Sequence, residues 1–145
     1  MDYRRWFGYL AASLLLAAAC GGDTPTAGPV TIETKADVSA GTLRGTFEVT
    51  DGADVLGCSS GTFVDIGGTT GIDKVMTCES GSNAGTFTIV FDPVGPDFQN
   101  GPWSVLESSD DFAGLQGEGN YSVVDDPDGI HTALETLTGD IEYTS

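Results

Sequence analysis

The sequence predicts an all-β fold, a single antiparallel barrel of eight strands, and three observations lead there. After residue 20 no long run of helix formers recurs at helical spacing, whereas short stretches alternate apolar and polar residues with period two. Each stretch is bounded by Gly, Asp, Asn, Ser or Pro, the residues of tight turns. One motif then recurs along the chain, a glycine, any residue and an aromatic, at Gly45-Thr46-Phe47, Gly61-Thr62-Phe63, Gly85-Thr86-Phe87, Gly101-Pro102-Trp103 and Gly119-Asn120-Tyr121. In a strand the glycine and the ring point to one face, and glycine lets the strand bend or gives a neighbouring ring room to lie across it. Repetition of the motif predicts a sheet curved enough to close. A β-sandwich is the alternative that strand number and turn spacing also fit.

The N-terminal element is of another kind. Arg4 and Arg5 precede an uncharged, mostly apolar stretch, Trp6 to Ala19, that ends in Ala17-Ala18-Ala19-Cys20. Positive charge, apolar run and small residues in that order are an export signal. As a helix the stretch would reach roughly 21 Å, short of the ~30 Å hydrocarbon core, so no permanent span is expected. The small residues before Cys20 resemble the lipobox of bacterial lipoproteins, although the third position before the cysteine is Ala17 rather than the usual leucine. The resemblance implies removal of residues 1–19 and acylation of Cys20, with a fatty acid such as palmitate, on the extracytoplasmic side of a cell-envelope membrane. Gly21 to Pro29 holds no apolar residue larger than alanine. Residues 20–29 therefore read as a lipidated, flexible tether and residues 30–145 as the barrel domain.

Within that domain the expected strands lie near 30–37, 42–50, 60–66, 72–79, 85–92, 102–107, 118–124 and 131–143. The alternation is plain in Leu43–Val49, in Phe87, Ile89 and Phe91, and in the stripe Leu137, Gly139, Ile141 and Tyr143. Asp51-Gly52, Gly67-Gly68, Gly81-Ser82-Asn83, Asp92-Pro93 and Asp128-Gly129 mark turns. Connections of hairpin length make a meander the simplest topology. Of three cysteines, Cys58 and Cys78 remain once Cys20 is lipidated, and an even pair in an oxidising compartment is expected to form a disulfide. It would staple the open side of one hairpin and contribute roughly 3 kcal/mol.

The segment Gly101-Pro102-Trp103-Ser104-Val105 through Phe112-Ala113-Gly114-Leu115-Gln116-Gly117-Glu118-Gly119 carries a second resemblance. It is similar to the G-x-W-x-V…G-T-G-x-F-A-G-L-x-G-x-G hairpin of exported bacterial β-barrel proteins akin to the allene oxide cyclase and dirigent barrels of the calycin-like group. The resemblance implies that Trp103 and Phe112 anchor inside and that Gly114, Gly117 and Gly119 permit a tight reversal. The chain departs from it at Ser108-Ser109-Asp110, where Gly-Thr-Gly is usual. None of the functional residues of those cyclases or dirigent proteins aligns with this chain.

Charge excludes some functions. The chain carries 22 acidic against 5 basic side chains, a formal charge of −17, and beyond residue 19 only Lys35, Arg44 and Lys74 are positive. Such a surface repels phosphate backbones and excludes nucleic acid as a partner. The chain has no Gly-x-Ser-x-Gly elbow, no Cys-x-x-Cys pair, no EF-hand loop and too few Cys and His for zinc. His131, the only histidine, follows the Asp128-Gly129 turn and reads as an exposed residue rather than a catalytic base. Glu48, Asp65, Glu79 and Glu107 fall near strand ends, but nothing in the sequence selects among them.

No catalytic residue, metal or cofactor is therefore assigned. The expected function is a non-enzymatic, membrane-anchored module with a binding or structural role. A small apolar ligand is the candidate occupant of a cavity lined by Phe47, Phe63, Phe87, Trp103 and Tyr121. The alternatives are a cyclase or isomerase with an apolar barrel cavity, and a calcium-dependent surface adhesin using Asp110-Asp111 and Asp125-Asp126-Pro127-Asp128.

Overall fold

The computed structural model describes residues 25–37, 43–68, 71–94, 99–127 and 132–145. Eight strands, β1 (Ala27–Asp37), β2 (Arg44–Asp51), β3 (Ser60–Gly67), β4 (Ile72–Ser80), β5 (Gly85–Phe91), β6 (Asn100–Ser108), β7 (Leu115–Asp125) and β8 (Thr132–Tyr143), form a closed antiparallel barrel in sequence order. Closure comes from β1 and β8, which pair from Ala27↔Glu142 to Asp37↔Thr132. A closed sheet has no free outer edges, and its inward side chains must fill one interior.

The glycine–aromatic motif explains how the wall curves around that interior. Its copies face each other across the ladder: Gly45 lies opposite Phe63 and Phe47 opposite Gly61, while Gly101 lies opposite Tyr121 and Trp103 opposite Gly119. At Gly61 and Gly119 the opposing ring, Phe47 or Trp103, covers the space a side chain would take, whereas at Gly45 and Gly101 the backbone of the other neighbouring strand or its following turn fills it. Gly119 leaves no alternative, because a Cβ there would stand 2.0 Å from the Thr138 carbonyl oxygen and 2.7 Å from the Trp103 ring nitrogen. The indole N–H donates to that same Thr138 carbonyl at 3.1 Å. The fifth copy behaves differently, with Gly85 opposite Cys78 and Phe87 opposite Met76.

Two short insertions cap one end. Between β2 and β3 a single helical turn, α1 (Ala53–Leu56), buries Val55 and Leu56, and its flanking glycines Gly52 and Gly57 have positive φ. Tyr143 donates its hydroxyl to the Leu56 carbonyl at 2.7 Å, and Asn83 donates to it at 3.2 Å. Between β6 and β7 a 3-10 turn, Asp110–Phe112, drives Phe112 into the core, where it is fully buried against Phe87. Asp110 has φ 56°, the left-handed region that Asp tolerates and Gly prefers. It occupies the third position of the departure from Gly-Thr-Gly, so the turn keeps a glycine-like backbone with another residue. At this end Cys58, two residues before β3, is bonded to Cys78 on β4, with Cα atoms 6.0 Å apart.

Strand boundaries lie within two residues of the sequence expectation except at two strand starts. Strand β1 starts at Ala27 rather than near Val30, because pairing with β8 uses backbone groups and needs no large side chains. Strand β7 starts at Leu115 rather than 118, since Gly117 and Gly119 conceal by composition a stretch that pairs residue for residue with β8. The Asp128-Gly129 turn and His131 lie outside the described residues.

The packing makes a contrast measurable by thermal denaturation. Gly119→Ala forces a methyl into backbone and indole and is expected to cost about 1–3 kcal/mol, the range of overpacked cores. Gly67→Ala, whose Cβ meets nothing within 4 Å, is expected to be neutral within about 0.5 kcal/mol.

Candidate functional site

The meander places the β1–β2, β3–β4, β5–β6 and β7–β8 connections at one end of the barrel and both of its chain ends at the other. Just inside the first of these ends lies an ionic cluster. Asp65 on β3 stands directly opposite Lys74 on β4, and Thr34 on β1 directly opposite Glu135 on β8. These two cross-strand pairs come from different sides of the wall and meet in the interior. The Lys74 ammonium contacts Asp65 Oδ1 at 2.7 Å and Glu135 Oε2 at 2.9 Å. The Thr34 hydroxyl donates to the same Glu135 oxygen. The ammonium also lies 3.6 Å from the Phe63 ring centroid and 5.2 Å from that of Phe91. Phe91 in turn stacks on Tyr121, with centroids 4.0 Å apart.

The lysine side chain is 0% exposed and its carboxylates 6% and 8%. Taking a charge out of water costs several kcal/mol unless partners replace the water. Two carboxylates and the negative faces of two rings surround the cation in its place. One cation against two carboxylates leaves a formal excess of one negative charge in a desolvated site. Burial pushes the Asp65 pKa above its ordinary 3.8, opposed by attraction and a hydrogen bond from Lys74 and reinforced by repulsion from Glu135. Chemically the cluster can hold a proton on a carboxyl beside a fixed ammonium. As packed, its ammonium is paired and shut off from solvent.

The five aromatics named as cavity-lining are all buried, with exposures of 1–3%. The structure divides them. Phe47 packs edge-on to Phe87, and Phe87 on Phe112, toward the capped end. Phe63 and Phe91 flank the Lys74 ammonium and Tyr121 stacks on Phe91, while Trp103 covers Gly119 and Gly139. Concave space lies outside the wall, in open grooves of about 890 Å³ beside Val105, Leu115 and Glu142 and about 710 Å³ beside Pro102, Asn120 and Asp140.

Of the carboxylates near strand ends, the structure selects Asp65. It adds Lys74, Glu135 and Thr34, to which the sequence analysis gave no site role. The signal was available in the alternation: Lys74 shares a face with Met76 and Cys78, Glu135 with Leu137, and Thr34 with Ile32. Asp111 accepts from the Ala84 N–H at 2.9 Å, and Asp126 pairs with Lys35 at 3.4 Å. Among the described residues no group of three or more His, Cys, Asp or Glu is placed to hold a metal ion. Cys20 lies outside the described residues.

Two outcomes follow from this geometry. Lys74→Met strands two carboxylates and is expected to cost about 3–5 kcal/mol in chemical denaturation, whereas adding Asp65→Leu and Glu135→Leu recovers most of that loss. For Asp65 the raised folded pKa means that the native state binds the proton more tightly than the unfolded chain. Its stabilising contribution is full below pH 3.8 and is lost as pH rises through the folded value. The stability difference between the parent and Asp65→Asn, followed from pH 3 to 7 by denaturant titration, should therefore shift steadily in favour of Asn.

Compared with known proteins, the chain matches no family model and no curated protein.

Proposed function

We propose that the chain is an exported lipoprotein, anchored by acyl groups on Cys20, that carries its barrel on the extracytoplasmic side of a cell-envelope membrane as a non-enzymatic binding or structural module. The observation that carries this reading is the filled interior. Rings, aliphatic side chains and an internally paired ionic cluster occupy the core. A small apolar ligand would enter only by displacing packed rings, so recognition falls to the outer wall. The polarity of the chain supports the anchor. Ala27 starts β1 beside the end of β8, at the capped end, so a lipid on Cys20 would hold that end toward the membrane and leave the Lys74 end pointing away. The Cys58–Cys78 bond agrees with an oxidising compartment.

The cyclase or isomerase reading keeps one observation in its favour, the buried Lys74–Asp65–Glu135 cluster, which could present an acid to a bound substrate. It requires the end of the barrel to open and admit that substrate.

Mass spectrometry of the protein recovered from membranes tests the main reading. The mature chain should begin at an acylated Cys20, and Cys20→Ala should abolish the acyl mass and release the barrel from the membrane fraction. A bare thiol at Cys20, or a mature chain that begins elsewhere, ends the proposal.

A further inference from the structure

The barrel wall has a seam. Strands β6 and β7 pair only from Asn100↔Ser122 to Ser104↔Glu118. Below that point β6 runs on to Ser108 and β7 reaches back to Leu115, each laddered to its other neighbour alone. The two strands part because a 3-10 turn joins them in place of a tight hairpin. Its Ser109 N–H bonds to Thr86 of β5, while the Gly114 carbonyl accepts from Thr144 beyond β8. Each strand is thereby drawn toward its outer neighbour. Phe112 and Leu115 close the seam from inside, both buried. Outside, the 890 Å³ groove follows it, lined by residues 105–108 and 114–118 together with parts of β1 and β8.

We infer that this seam is a docking site for an extended peptide segment of a partner protein, with basic and apolar side chains in alternation. Strand edges carry backbone donors and acceptors that an incoming strand can pair with. A third strand laid there would take its partners from residues 105–108, from 115–117, or from both. The side-chain chemistry selects the occupant. Glu107, Glu118, Asp140 and Glu142 line the groove, with no basic residue in its lining among the described residues, so lysines or arginines on the outer face of the added strand meet carboxylates. Such opposite-charge pairs contribute roughly 0.2–1 kcal/mol each. The other face of the added strand meets Val105 and Ile141, which pack with the core, while Leu106, 57% exposed before docking, stands with the carboxylates on the outer face. The inference does not depend on the lipid anchor, because the seam belongs to the barrel itself.

The test uses the full chain in detergent and a blocked Lys-Val-Lys-Val-Lys peptide, followed by backbone amide shifts. Saturable binding is expected, with the largest shifts confined to residues 105–108 and 115–117. Replacing the central lysine by proline, which removes a ladder donor, should weaken binding at least tenfold. The Glu107→Lys and Glu118→Lys double variant, altered only at exposed positions, should do the same while its spectrum stays that of the folded barrel. Equal binding of the proline peptide, or shifts scattered over the acidic surface, would reduce the effect to general charge attraction and overturn the inference. Concentration-dependent dimerisation through the same amides would assign the seam to a second copy of this chain. Slow hydrogen exchange of those amides in the unliganded chain would assign it to the chain's own N-terminal residues. Either result overturns the partner-peptide assignment.

Discussion

Closure of the sheet is the constraint on which everything else in this molecule depends. Once β1 pairs with β8 along its length, strand number and stagger together set the interior volume, and the inward side chains must match it. The chain meets this with its glycine–aromatic motif. A ring on one strand fills the space opened by a glycine on the next, as Phe47 does over Gly61 and Trp103 over Gly119, while Gly45 and Gly101 let the backbone on their other side come close. The glycines that let the wall bend are therefore also what makes room for the large residues. α1 and Phe112 then seal one end with apolar side chains.

The opposite end is sealed by charge. Of the three basic residues beyond position 19, one is buried in the barrel. Burying Lys74 commits Asp65 and Glu135 to the interior as well, so that beyond residue 19 only Lys35 and Arg44 are left as basic side chains outside the cluster. Cross-strand pairs from β3–β4 and β1–β8 converge on one ammonium, so the cluster fixes the relative positions of two separate parts of the wall. Geometry this specific is difficult to satisfy in a slipped register, since a shift of one residue would turn Lys74 outward and Asp73 or Val75 inward.

Most of the architecture was legible because the period-two rule is nearly free of context inside a closed sheet. Runs such as Leu43–Val49 and Leu137–Tyr143 placed their strands within a residue or two, and the Cys58–Cys78 bond was expected as the even pair left once Cys20 is set aside. The ends were less legible where backbone pairing continued through residues of low strand preference, at Ala27–Pro29 and at Leu115–Gly117. The ionic cluster was concealed for a different reason. Composition assigns charged residues to the surface, whereas alternation assigns Lys74, Asp65 and Glu135 to the inside. When the two rules conflict in a closed barrel, alternation prevails, because pairing leaves a side chain only two directions. Partnership among the three required knowledge of which strands face one another across the interior. Sequence spacing alone does not contain that.

The position of β1 has a mechanical consequence. Any pull transmitted through the residues before Ala27 acts along the axis of a strand that is bonded on both flanks, to β8 from Ala27 to Asp37 and to β2 from Thr31 to Asp37. Load in that direction strains many ladder bonds together in shear instead of peeling them singly. A barrel hung by this strand would resist extraction far better than one hung by a hairpin tip.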